Sequence, residues 1–200
     1  MVQLNKSLLR NLYLDKKLSV SEISNKLKIS QSGINYWLSK YGIPKRTISD
    51  AVYLRCNKLG DPFSFNPPMN EYKWLLLGLG LGLYWGEGNK RSKSSVRLGN
   101  VDPKLIRVFI KFLKEIFSID MTKLRFGLQV FSDTTPSVAR NFWIRELKIK
   151  NSQFYKVTVT PSHKPGTYKN KSKFGVLTVY FNNVKLQKSL SQVIENFPSL

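Results

Sequence analysis

The chain holds a single cysteine, a single histidine and only 12 acidic residues in 200. One cysteine, Cys56, cannot close an intramolecular disulfide, so the expected setting is a reducing cytoplasm. The lone histidine, His163, lies in a basic loop with no carboxylate or second histidine near it in sequence. This argues against a zinc site, and no Ser–His–Asp constellation or phosphate-binding loop signature appears elsewhere. The longest apolar run, Trp74 to Gly86, is 13 residues and glycine-rich, against about 18 needed to cross a bilayer. The opening MVQLNKSLLRNL lacks the apolar core of a secretory leader, and no basic amphipathic helix with a bulky apolar face suggests membrane binding.

Basic residues are abundant: 33 Lys and Arg give a formal net charge of +21, while 42% apolar residues are enough to build a core. Residues 1–50 carry 9 basic and 3 acidic side chains and the remainder 24 and 9, so both parts are cationic. Such a surplus repels itself and fits a polyanionic partner that releases counterions on binding. Double-stranded DNA is the expected partner, and a cytoplasmic, nucleoid-associated protein the expected setting.

Residues 1–46 read as three helices. Leu8, Leu9, Leu12 and Tyr13 share a face of the first. Ser19-Val20-Ser21-Glu22 is a capping box that opens a second helix with Ile23 and Leu27 inward. Ser30 caps a third, which turns Ile34, Trp37, Leu38 and Tyr41 inward and stops at Gly42 with Pro44 beyond. The string LSVSEISNKLKISQSGINYWLSKYGIPKR resembles the resolvase-type, homeodomain-like helix-turn-helix, with Lys28 where that family often has glycine in the turn. The resemblance implies that the third helix enters the major groove with Gln31, Ser32, Asn35 and Tyr36 at base edges, and with Lys40, Lys45 and Arg46 at phosphates. Residues 47–70, with one short helical stretch and breaks at Gly60-Asp61-Pro62 and Asn66-Pro67-Pro68, read as a spacer.

Gly78, Gly80, Gly82, Gly86 and Gly88 fall within eleven residues. Inside a helix each would cost about 1 kcal/mol relative to alanine, so something must offset them. Gly78, Gly82 and Gly86 recur every four residues and would line one stripe where another helix can approach closely. Glu87 follows at the helix's negative end, an unfavourable place for a carboxylate unless a cation is near. A dinucleotide-binding loop needs different glycine spacing. A buried helix with incidental glycines remains an alternative.

GLGLYWGEG resembles the motif of LAGLIDADG homing endonucleases. Gly82 matches the first motif glycine, Gly86 the small residue before the acid, Glu87 the metal-binding acid and Gly88 the last glycine. Trp85 stands at the first acidic position. The resemblance implies a homodimer whose paired helices bring two Glu87 carboxylates to a Mg2+ ion over a phosphodiester. It also implies a catalytic role for Asn100 in ordering water, and it covers residues 71–200. A basic residue that the family often places at the end of its last strand is here Asn182 or Asn183.

The resemblance implies an α+β domain with an antiparallel sheet saddle, and the remaining pattern supplies its strands and helices. Residues 95–100 alternate as a strand, and Asp102-Pro103 opens a helix with Leu105, Ile106, Phe109, Phe112, Leu113, Ile116 and Phe117 inward. Leu124, Phe126, Leu128 and Val130 alternate with Lys123, Arg125 and Gln129, side chains suited to phosphates and to guanine or adenine edges. A helix over 137–147 should bury Val138, Phe142, Trp143 and Leu147. Strands are expected at 155–160 and 174–181, and a last helix at 184–197. Lys90, Arg91 and Arg97, with Lys164, Lys169, Lys171 and Lys173 of the basic loop, complete the expected DNA contacts. Two further functions compete: a DNA-binding regulator on an inactive copy of the same scaffold, and an RNA-binding module.

Overall fold

The computed structural model describes residues 4–162 and 172–196 and divides into two compact units, Met1–Asp61 and Pro62–Leu200. His163, Lys164, Lys169 and Lys171 lie outside the described residues.

In the first unit, α1 (Lys6–Arg10) is capped by the Asn5 side chain and runs into one π-helical stretch, Asn11–Asp15. Helix α2 (Val20–Leu27) starts at the expected box: the Ser19 hydroxyl accepts from the Glu22 amide at 3.1 Å, and the Glu22 carboxylate accepts from the Ser19 amide at 2.8 Å. Lys28 then adopts φ 53°, left-handed, and Ser30 caps α3 (Gln31–Lys40). Leu4, Leu9, Leu12, Tyr13, Ile23, Ile34, Trp37, Leu38 and Ile43 form the core. Leu8 does not join it: the π-helical stretch adds a residue to the turn, so Leu12 and Tyr13 align with Leu9 while Leu8 faces solvent. A fourth helix, α4 (Ile48–Cys56), buries none of its residues.

Residues 62–66 are not a free spacer. Ser64 and Asn66 donate backbone N–H bonds to Phe117 and Ile116, and Asp120 donates to Pro62, which straps the segment onto the second unit. This unit then runs through α5 (Glu71–Glu87), β1 (Val96–Asn100), α6 (Pro103–Ile116), β2 (Leu124–Phe131), α7 (Pro136–Leu147), β3 (Thr158–Thr160), β4 (Val176–Phe181) and α8 (Val184–Glu195).

The architecture is α+β, but the sheet is mixed, in the order β1-β4-β2-β3. β4 pairs antiparallel with both β1 and β2, whereas β3 lies parallel to β2 and corrects the expected all-antiparallel saddle. The reason is α7: a helix between β2 and β3 carries the chain back to the starting end of β2, from which only a parallel strand can follow. β3 is also shorter than the stretch 155–160; Tyr155 donates its N–H to Phe126, but regular pairing begins only at Thr158.

One sheet face is closed. Val96, Leu98, Leu124, Phe126, Leu128, Val130, Leu177, Val179 and Phe181 pack with Leu76 and Tyr84 of α5, five residues of α6, and Leu186 and Leu190 of α8. Helix α7 buries Ala139 and Trp143; Val138, expected inward, is exposed, since the crossover turns that edge of the helix to solvent. The Trp143 indole N–H donates to the Phe174 carbonyl at 2.9 Å, and Phe142 stacks on Phe174 at 3.7 Å.

Candidate functional site

Helix α5 starts at Asn70, whose side chain accepts from the Lys73 amide, and it carries Glu71 in its favourable first turn. Its inward edge is Leu76, Gly80 and Tyr84. Gly80 is the glycine that a neighbour requires: a Cβ there would run into the Phe112 ring of α6. Tyr84 stacks on Phe109 with centroids 6.2 Å apart and planes 8° from parallel. Burial pushes the Tyr84 phenol above its ordinary pKa, against the opposing effect of the Gln187 side chain that faces its hydroxyl without a well-formed hydrogen bond.

The opposite edge of α5 is bare. A Cβ built on Gly78, Gly82 or Gly86 would meet nothing within 4 Å. Leu75 (70% exposed) and Leu79 (47%) flank this stripe on one side, and Trp74 (61%) and Trp85 (52%) flank it on the other. The expected small-residue stripe is therefore present, and no described residue packs on it.

Glu87 ends the helix, exposed, with no hydrogen bond or ion pair. Beside it the Lys90 ammonium donates to the Trp85 carbonyl and satisfies the helix end, without an ion pair to Glu87. Gly88 bridges antiparallel to Leu98, and Asn89 donates its N–H to Arg97, so the acid lies beside β1. Asn100 sits two residues beyond Leu98 on that strand. Its Oδ1 accepts from the amides of Val101 and Asp102 at 2.8 and 2.9 Å, and so holds the turn into α6. Its oxygen is thus engaged in the local turn.

Strand alternation places Arg97, Gly99, Arg125, Gly127, Gln129, Thr178 and Tyr180 on the open face. The register sets Arg97, Tyr180 and Arg125 in one row across β1, β4 and β2. The next row is Gly99, Thr178 and Gly127. Arg97 sits over the Tyr180 ring at 5.2 Å while its Nε donates to Ser95 Oγ at 2.6 Å. Tyr155 meets Tyr180 edge-on at 5.4 Å and accepts from Asn182 Nδ2 at 3.0 Å. Asn183 caps α8 by accepting from the Leu186 amide. The row-forming Tyr180 and Thr178 escaped the sequence reading; alternation along 176–181, with β-branched and aromatic residues at every second outward position, was the signal. Lys123 precedes β2 in a short 3-10 turn, Arg91 is exposed in the turn before β1, and Lys173 lies over the Phe174 ring at 5.5 Å.

In the first unit Gln31, Ser32 and Tyr36 are exposed on α3 and Asn35 is half-buried. Lys40 lies over Trp37 at 4.8 Å, and Lys45 is exposed. Arg46 departs from its expected place at phosphates. Its guanidinium faces inward over the Tyr13 ring at 4.1 Å and donates to the carbonyls of Tyr13, Lys17 and Leu18, which closes the C-terminal end of the first helix.

Among the described residues no group of three or more His, Cys, Asp or Glu side chains forms a metal cluster, and no helix is long and apolar enough to cross a membrane. The chain matches no protein-family model, no curated protein and no solved structure.

Proposed function

We propose that this protein is a homodimeric DNA endonuclease of the LAGLIDADG type that binds duplex DNA and uses Mg2+ to hydrolyse phosphodiester bonds, in the cytoplasm at the chromosome. The observation that carries this reading is the bare glycine stripe of α5 ending in an exposed, unpaired carboxylate. Three glycines in open space weaken the helix without gain in a single chain; against a second copy of α5 they allow backbones to approach closely.

One exposed carboxylate does not by itself hold a metal. It fits an ion that keeps several waters and takes its remaining oxygens from a second Glu87 and from DNA phosphates, which is how Mg2+ is commonly bound. Two Glu87 side chains at a two-fold axis would otherwise repel one another. When bound, Mg2+ supplies an activated water and stabilises the leaving oxygen. Glu87 provides the ligand oxygen, Lys90 neutralises the helix end beside it, and the open sheet face with α3 of the first unit holds the duplex.

The test is incubation of the purified chain with Mg2+ and randomised duplex DNA, with Glu87→Gln as control. The expected result is scission in the native chain and its loss in the variant, with duplex binding kept. Binding without any scission that depends on Glu87 would refute the nuclease. A specific observation favours the regulator in that event. Asn182 is engaged with Tyr155 and Asn183 caps α8, so neither supplies the basic group that the LAGLIDADG resemblance leads one to expect there. Sequence-specific repression that survives Glu87→Gln would then be expected.

A further inference from the structure

We infer that the helical side of the second unit carries a separate duplex-DNA surface along α6, so that the protein can hold two DNA segments at once. The inference goes beyond the function proposed above and rests on its duplex partner.

Each exposed residue of α6 is basic: Lys104, Arg107, Lys111 and Lys114. At about 100° per residue the four fall within roughly 80° of arc, centred opposite the edge that buries Ile106, Phe109, Phe112, Leu113 and Ile116. The stripe therefore points away from the sheet. It continues onto the end of α7, where Arg107 donates to the Glu146 carbonyl at 2.9 Å and where Arg145, Lys148 and Lys150 are exposed. Two acids adjoin it: Glu115 stands 3.9 Å from Lys111, and Glu146 3.4 Å from Arg107. Lys104 and Lys114 have no ion pair among the described residues. Like charges three and four residues apart on one helix edge repel one another and weaken the helix. A polyanion laid along them removes that cost and releases its counterions.

The chemistry of the stripe selects the phosphate backbone of a duplex. Lysine and arginine donate hydrogen bonds and accept none, so the exposed edge of α6 has nothing to offer a base donor. Four cations in a line of about 15 Å fit phosphates, which position a nucleic acid without reading its sequence. A single strand calls instead for free rings on which splayed bases stack. The ring beside the stripe, Tyr72 of α5, lies under the Lys111 ammonium at 4.9 Å, so the cation covers it.

A duplex on the open sheet face does not also reach this stripe. The sheet and the width of a helix, about 10–12 Å, lie between the two surfaces. Bending even about 20–30 base pairs by about 40–90° costs on the order of 1–6 kcal/mol, so returning one short duplex around the unit is costlier than binding a second.

The experiment immobilises a duplex of about 30 base pairs, loads it with the full chain in the absence of divalent metal, and then offers a labelled second duplex of the same length. The native chain should capture the second duplex. Lys104→Gln, Lys111→Gln and Lys114→Gln together keep helix propensity and leave the first unit and the open sheet face unchanged, so binding of the first duplex should be kept. Capture of the second should fall at least about 10-fold at about 0.1 M salt, and its log–log salt slope should drop by about 2–3, the counterion release of three phosphate contacts. Arginine at the same three positions should restore capture. Capture that is unchanged in the glutamine variant, or a native chain that binds the first duplex and never a second, overturns the inference and leaves the proposed function standing. Preferential capture of single-stranded or double-stranded RNA over the second DNA duplex also overturns it, because the stripe would then be an RNA surface. If the native chain binds no duplex at all, the proposed function falls and this inference with it.

Discussion

Alanine at Gly78 and Gly82 should have opposite effects on the single chain and on its dimer. Neither position has an atom within 4 Å of a built Cβ, and both are interior to α5. In the isolated chain each substitution removes a helix penalty of about 1 kcal/mol, so the pair should stabilise the second unit by about 2 kcal/mol. For a unit of this size that corresponds to roughly 6–8 °C in melting temperature. In a dimer packed along the glycine stripe the same methyl groups hold the helices apart. Overpacking costs about 1–3 kcal/mol per site, and two-fold symmetry presents each site twice, so the dissociation constant should rise at least about 100-fold. Gly80→Ala is the internal contrast: its methyl would strike Phe112 and should destabilise the chain at every concentration. Melting curves over a range of protein concentrations, paired with sedimentation mass, read both effects. A native chain that stays monomeric throughout, or a double variant that melts higher by the same amount at all concentrations, would refute the packing of two α5 helices.

Three further outcomes are expected. Lys28 sits in the left-handed region at φ 53°, so Lys28→Gly should stabilise the first unit by about 1 kcal/mol in chemical denaturation. The backbone and side chain of Ser19, then Lys58, hold the Glu22 carboxyl at about 2, below its ordinary value. A depressed folded value means that the cap's contribution is complete above the unfolded pKa near 4.5 and is lost as pH falls towards 2; because the group is exposed, Glu22→Gln should remove only about 0.5–1 kcal/mol at pH 7 and flatten that part of the pH–stability curve. Tyr84→Phe removes a buried hydroxyl that faces the Gln187 side chain without a well-formed hydrogen bond, so stability should change by no more than about 1 kcal/mol in thermal denaturation; a larger loss would show a full hydrogen bond to Gln187.

Local chemistry was legible in the sequence; long-range consequences were not. The Ser19–Glu22 box, the Ser30 and Asp102 caps and the alternation along β2 depend on neighbours within four residues, and they stand where their residue types place them. The π-helical stretch at Asn11–Asp15 has no residue signature, and with it Leu8 left the core. The parallel pairing of β3 depends on where α7 delivers the chain, which no strand pattern encodes. Arg46 looked like a phosphate ligand because it is a basic residue just beyond the third helix; its inward turn depends on three free carbonyls at the end of the first. In α5 the glycines are equivalent by spacing, yet Gly80 answers to Phe112 while Gly78, Gly82 and Gly86 answer to nothing among the described residues.

The placement of the twelve acids sharpens the case for Glu87 in a chain of +21. Most of them have local work. Glu22, Asp102 and Asp120 cap turns or helices, Asp50 accepts from the Thr47 hydroxyl, Asp61 from Tyr53 and Asp15 from Asn11, and Glu115 and Glu146 face Lys111 and Arg107. Glu71 has no such bond but lies in the first turn of α5, where the helix dipole favours it. Glu87 and Glu195 both end helices, against the dipole and without a hydrogen bond. The two differ in what adjoins them. Glu195 closes α8, whose first two turns bury Leu186, Gln187 and Leu190. Glu87 closes a helix whose outer edge is three glycines in open space between exposed leucines and tryptophans. An unfavourable acid beside an unfavourable glycine stripe is two costs in one place, and the proposed function relieves both together by bringing a second α5 and a shared cation to the same site.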